Sequence, residues 1–311
     1  MNPAFSVILF TMIAGAAQGL VVALAFAVLG GIGVGTAFVG GVLMVAVAML
    51  VVALGASFLH LGRPERAWRA AAMWRTSWLS REVIVLPAFI GVVALWWFAL
   101  RTSQAEGLTR VLLPLAAIAL AILLWYCTAM IYACLRFIEE WAHPLTLWNF
   151  VLIGLSSGLL LACALGTVGG GEALVRAAGP AALAATLLAG AGRTLSLRRN
   201  AAIRHRSTLQ SATGIDAPVL AQKSMGMSAG SFNTREFFHR ASLSGLKRIR
   251  LALVVLAYVL PTLLAAWALA TLAAWPWLVA VLVQAPGLVA DRWYFFAQAR
   301  HPQNLYYQVV S

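Results

Sequence analysis

Acidic residues are scarce in this chain: nine Asp and Glu in 311 positions, against 22 Lys and Arg. Charged residues of both signs make up only 10% of the sequence, while 62% is hydrophobic. A soluble protein of this length needs far more charge to cover its surface, so the composition describes an integral membrane protein. Cysteine is scarce too. Cys127, Cys134 and Cys163 all lie in apolar runs and form no CxxC pair, which excludes an iron–sulfur or zinc framework built on this chain and leaves them as small apolar residues. The five histidines exclude a membrane haem on similar grounds. Bis-histidine ligation needs facing spans, yet only His60 lies even at a span end, while His143, His205, His239 and His301 fall in connections or the tail.

The apolar sequence falls into runs near the length that crosses a bilayer. Eight are expected to span: about 5–30, 37–60, 83–101, 111–134, 145–168, 174–195, 249–271 and 275–297. The fold class is therefore an all-α integral membrane protein, a single domain formed by a bundle of eight transmembrane helices. The first run follows MNPAFS without a basic leader and is expected to remain as a span. Gly30 to Gly35, His143-Pro144 and Gly169 to Gly171 supply turns between runs, and Pro286-Gly287 is expected to kink the last. Gln18 and Gln284, amides at depth, are expected to bond between helices.

The net charge of +13 is unevenly distributed. Arg63, Arg66, Arg69, Arg75 and Arg81 lie in the second connection, and a further basic cluster from Arg198 to Arg248 lies in the sixth, a loop of about fifty residues at 196–248. The opposite connections are short and nearly neutral. The positive-inside rule puts both basic loops and both termini in the cytoplasm. Basic loops of this kind attract anionic headgroups or a docked soluble subunit, and the hydrophobic runs exclude a nucleic-acid protein.

The segment Ser57–Glu82, SFLHLGRPERAWRAAAMWRTSWLSRE, is unusually polar for its position between two spans. His60 closes the second span and Glu82 opens the third, so both fall at one membrane edge. Such a pair suits the two-proton, two-electron chemistry of a quinone ring, and it equally suits a capping histidine with a paired carboxylate. Arg63 and Arg81 either hold Glu82 ionised or bind lipid phosphate. Glu139 and Glu140, which close the fourth span, are expected to pair with Arg136 or to admit protons. Nearly every other charge lies at an edge or in a loop, which argues against a secondary transporter.

These motifs carry a resemblance. SFLHLGRPERAW with SWLSRE, IYACLR…HPLT at 131–146 and the eight-span plan together resemble the DmsC family, the membrane anchors of dimethyl-sulfoxide-reductase-type molybdoenzymes. The resemblance implies a bacterial inner-membrane anchor that binds quinone or quinol, with His60 and Glu82 as the family's quinone-site pair. It implies two partners: a ferredoxin-like four-cluster iron–sulfur subunit and a molybdopterin catalytic subunit, which carry all the metal centres. GSFNTREFFH at 230–239 and ARHPQNLYYQ at 299–308 are similar to a branch that anchors a cytoplasmic sulfite-oxidising enzyme, which implies electron flow from sulfite into quinone. The alternatives are an anchor that oxidises menaquinol for an S- or N-oxide reductase, and a passive anchor. Arg235, Glu236, Phe237, Phe238 and His239 are the expected docking residues for the partner.

Overall fold

The computed structural model describes residues 4–59, 61–102, 106–221, 223 and 241–302. The regular elements among them are all helical. They run α1 (Phe5–Leu29), α2 (Thr36–Phe58), a 3₁₀ segment (Pro64–Ala71), α3 (Trp78–Arg101), α4 (Leu113–Ala133), α5 (Pro144–Val168) and α6 (Glu172–Ala201), then short α7 (Leu209–Thr213), α8 (Leu243–Val254), α9 (Leu260–Thr271) and α10 (Trp275–Ala297). A π turn, Leu108–Leu112, leads into α4, and another, Val255–Val259, joins α8 to α9. The helices show almost no amphipathic asymmetry, because both the lipid-facing and the buried faces are apolar.

Seven helices among the described residues are long and apolar enough to cross a membrane, counting Leu108–Ala133 and Leu243–Thr271 each as one. The expected total was eight. The remaining helix, α10, has 23 residues and comparable length, but Gln284, Asp291 and Arg292 lower its hydropathy. It packs among the others, against α1, α5, α8 and α9.

Helix α1 is the most enclosed of the seven, flanked by α2, α4, α5, α6 and α10. Its approach to α5 rests on two small-xxx-small motifs that face one another, Gly15 with Gly19 and Gly154 with Gly158. A Cβ on Gly158 would overlap the Gly19 backbone, and one on Gly19 would overlap Gly154. In lipid no hydrophobic drive separates helix from tail, so this backbone-to-backbone contact supplies the dispersion that holds the centre of the bundle. Leucines and phenylalanines such as Leu95, Phe98, Leu188 and Leu282 point outward, as does Ile122.

Polar bonds cross the helices where an amide lies at depth. Gln18 Nε2 donates to Ala121 O of α4 at 3.3 Å, and Gln284 Nε2 donates to Ser156 Oγ at 2.9 Å and to Ala257 O at 3.2 Å. Ala257 lies in the π turn, and the backbone of Leu256–Ala257 sits so close to Gly287 that a Cβ there would collide with it. α10 continues as one helix through Pro286. A π turn on one helix thus faces the Pro-Gly step of its neighbour.

Two helix starts differ from expectation for a common reason: caps, rather than bilayer edges, set where the helix begins. α3 starts at Trp78 because Ser77 Oγ accepts the Ser80 N–H at 3.3 Å, which draws Glu82 inside the helix. α8 starts at Leu243 through the Ser242 cap on Gly245 N–H. α6 runs on to Ala201, its last turn carrying Arg198 and Arg199 where the helix dipole favours cations.

Candidate functional site

The buried charged side chains among the described residues, Glu82, Glu140, Arg193, Asp291 and Arg292, lie toward the end of the bundle where α1, α3, α5 and α8 begin and α2, α4, α6 and α10 end. This is also the basic end.

Glu82 lies one turn into α3 and is 5% exposed. It shares a buried face with Val85, Leu86 and Phe89, so an apolar stripe surrounds its carboxylate. Thr128 Oγ1, on α4, donates a hydrogen bond to Glu82 Oε1. Trp78 stands edge-on to Tyr126 at 5.2 Å and closes the outer side of this corner.

Neither arginine expected around Glu82 is hydrogen-bonded to it among the described contacts. Arg81 lies 4.0 Å above the Trp78 ring and donates to the carbonyls of Trp74 and Arg75, both at 2.8 Å. It ties the loop to the start of α3. Arg63 is exposed and opens the 3₁₀ segment, its carbonyl accepting the Arg66 N–H at 3.0 Å. His60 lies outside the described residues, as do Arg235, Glu236, Phe237, Phe238 and His239.

Behind Glu82, Tyr132 is packed in an aromatic cluster. Its ring stacks on Phe150 at 5.7 Å and meets Trp141, Phe295 and Phe296 edge-on at 5.3, 5.3 and 5.5 Å. Trp141 Nε1 donates to Phe295 O at 3.0 Å, joining the 134–143 turn to the end of α10.

Beyond this cluster lies a group of charges that the sequence did not lead us to expect. Arg193, Asp291 and Arg292 are 2%, 1% and 3% exposed, so these three charges lie inside helices and within the protein rather than in a loop. Arg193 Nε donates to Asp291 Oδ1 at 2.6 Å across α6 and α10. Arg292 Cζ lies 4.0 Å above the Phe150 ring. Asn149 Nδ2 donates to Ser196 Oγ at 2.7 Å beside them. The signal was present in the sequence as an Asp-Arg step inside an otherwise apolar run, but its partner stands 98 residues away.

Glu139 and Glu140 do not pair with Arg136 among the described contacts; they bind the last turn of α6 and the residues that follow it. Glu139 Oε1 accepts the Arg206 N–H at 2.9 Å, Glu139 O accepts from Arg199 at 2.8 Å, and His205 Nε2 lies 3.5 Å from Glu140 Oε1. This turn is thereby tied to the start of the long connection. His143 caps α5, its Nδ1 accepting the Leu145 N–H at 3.1 Å. Burial, and then the nearby Arg199 charge, hold its pKa below the ordinary 6.5.

A carboxyl group enclosed by apolar side chains at a bilayer edge can hold a proton and, when protonated, donate one hydrogen bond. Quinone carbonyls accept hydrogen bonds only, so a protonated carboxyl at Glu82 is chemically able to donate to one.

Known proteins share this sequence plan. A family model described as DMSO reductase anchor subunit (DmsC) matches residues 1–284. The sulfite dehydrogenase C subunit of Allochromatium vinosum is 46% identical over 327 aligned positions, which cover 100% of both sequences. The C polypeptide of the anaerobic dimethyl sulfoxide reductase of Haemophilus influenzae is 29% identical over 129 positions, 41% of this sequence and 46% of that one.

Proposed function

This chain belongs to the DmsC family of DMSO reductase anchor subunits, and on that premise we propose that it exchanges electrons between the quinone pool and an iron–sulfur subunit docked on its basic end. The observation that carries the proposal is Glu82, a carboxyl group buried in an apolar corner and bonded to Thr128, at the end of the bundle where the basic loops meet. A quinone ring takes up two electrons and two protons on reduction, so its site needs a proton-holding group near water. Glu82 is that group, and His60 at the end of the preceding span is its partner. Thr128 fixes the orientation of the carboxyl, and the apolar stripe below it keeps water from the ring. Arg81 serves the site by bracing the loop that enters α3, while Arg63 remains on the surface to meet lipid phosphate or the docked subunit.

The resemblance in length and sequence to an anchor-family subunit of a sulfite dehydrogenase supports electron flow from sulfite, through a molybdopterin subunit and a four-cluster ferredoxin-like subunit, into quinone. The shorter match to a dimethyl sulfoxide reductase component supports the second reading, in which quinol is oxidised and an S-oxide reduced. α10 forms the eighth span: Arg193 neutralises Asp291 within the bundle, and Arg292 faces Phe150 rather than lipid. With eight spans, both termini and both basic loops share the cytoplasmic side of the inner membrane. The docked subunits are then cytoplasmic, with 235–239 among the contacts.

Glu82→Gln and His60→Gln, made separately in the intact complex, test the site. Assembly is expected to persist while electron transfer to a quinone analogue falls about 100-fold, the usual contribution of a positioned acid or base. Unchanged transfer in both variants would leave only a passive anchor. Supplying sulfite and then an S-oxide under anaerobic conditions decides the direction of flow.

A further inference from the structure

A groove on the outer surface of the bundle offers a site that the quinone reading does not use. It encloses about 590 Å³ between α6 and the span formed by α8, the π turn and α9. α3 and α4, which carry Glu82 and Thr128, contribute nothing to its lining. Its floor is the contact of Gly190 with Tyr258, where a Cβ on Gly190 would stand 3.1 Å from the Tyr258 Cβ. Leu187 and Leu195 rise on one side, Val259 and Leu263 on the other, and all four are exposed. Both walls belong to membrane-spanning helices, so an apolar chain of the bilayer is the natural filling.

The Gly190–Tyr258 contact also sets the register of the two walls. α6 runs from it toward the basic end, and α8 arrives from that end. Arg198 lies eight residues after Gly190, and Arg250 lies eight before Tyr258. At 1.5 Å per residue each stands about 12 Å from the contact, so the two arginines lie at about the same depth. Arg198 lines the groove. Arg250 precedes the lining residues Val254 and Tyr258 by successive steps of four, and Lys247 sits one turn further out on the same stripe. All three cations are exposed, and none has an ion-pair partner among the described residues. Arg199, by contrast, is engaged by Glu139 O and Asn200 Oδ1. No acidic residue lines the groove.

We propose that this groove binds one anionic phospholipid, its phosphate held between Arg198 and Arg250 with Lys247 beside it and an acyl chain lying over Gly190 and Tyr258. The ammonium group of a zwitterionic lipid would face the same three cations, so the site selects a headgroup of net negative charge. The apolar groove below the cations calls for a lipid rather than a free phosphate. The site is independent of Glu82 and of the quinone reading.

Native mass spectrometry of the purified complex, exchanged into phosphatidylglycerol or into phosphatidylcholine of identical chains, tests the site. One phosphatidylglycerol is expected to stay bound under conditions that strip phosphatidylcholine. A basic side chain beside an anionic headgroup contributes about fivefold in affinity, so Arg198→Gln and Arg250→Gln should each weaken retention about fivefold and together about 25-fold. Ala191→Trp, which fills the groove and leaves every charge in place, should abolish retention. Arg69→Gln removes an exposed cation of the 3₁₀ segment beside α3 and should change nothing. Equal retention of the two lipids by the native complex, or an equal loss in Arg69→Gln, overturns the site in favour of diffuse surface charge. Native retention in Ala191→Trp or in the double arginine variant overturns it as well. Displacement of the lipid by excess glycerol 3-phosphate would assign the cations to a free phosphate and overturn the lipid. If Ala191→Trp fails to assemble, the double arginine variant, altered only at exposed positions, decides.

Discussion

Thr128 Oγ1 donates to Glu82 Oε1, so the proposed quinone site is split between two helices, α4 supplying the donor and α3 the acid. Removing the donor should misorient the carboxyl without removing it. Thr128→Val is expected to cost about 1.5 kcal/mol of transition-state stabilisation, or about tenfold in quinone-linked turnover, a milder loss than Glu82→Gln. Thr128→Ser keeps the hydroxyl and should retain most of the rate. Anaerobic turnover with a quinone analogue, measured on all three variants, checks the order.

The Arg193–Asp291 pair should reveal itself in stability. Asp291→Ala strands a buried guanidinium and is expected to destabilise the protein by about 3–5 kcal/mol. Replacing both residues with leucine removes the charges together and should cost much less. Thermal unfolding in detergent, compared across the single and double variants, gives the coupling between them.

Methyl groups at the α1–α5 crossing provide a test of packing. Gly158→Ala places its Cβ on the Gly19 backbone and should destabilise by about 1–3 kcal/mol, as overpacking does. Gly91→Ala, in the middle of α3 with nothing within 4 Å of the added atom, should be neutral or stabilise by up to about 1 kcal/mol. The difference in unfolding temperature between the two variants is the measurement.

His143 predicts a pH dependence. Its neutral Nδ1 caps α5, and its folded pKa lies below the ordinary 6.5. Below about pH 6.5 an unfolded chain binds a proton that the folded protein resists, so the stabilisation present above that pH is lost as pH falls through the folded value. Unfolding temperature should therefore decline from about pH 7.5 to about pH 5 more steeply in the native protein than in His143→Asn, which caps without titrating.

The apolar runs and their turns made most of the helices legible in the sequence, because crossing a bilayer demands length and hydropathy that few other structures need. Glu82 was legible for a similar reason, as an acid beside a span in a protein with few acids. The interior charges were not. Asp291, Arg292 and Arg193 all lay inside expected spans, but nothing in the sequence shows that α6 and α10 pack so that Arg193 faces Asp291. Arg81 shows the converse failure: adjacency to Glu82 suggested an ion pair, whereas the loop carbonyls of Trp74 and Arg75 are what its guanidinium reaches. The Gly15/Gly19 and Gly154/Gly158 motifs were readable separately, but their mutual fit depends on the crossing of α1 and α5.

Chain order gives the Arg193–Asp291 pair a second meaning. A ribosome produces Arg193 98 residues before its counter-ion, so α6 enters the membrane carrying a cation with no permanent partner. Every intermediate of synthesis from α6 to α9 bears that debt, and only the arrival of α10 discharges it. A nascent polypeptide that stalls before α10 therefore differs from a finished one by one buried, uncompensated charge.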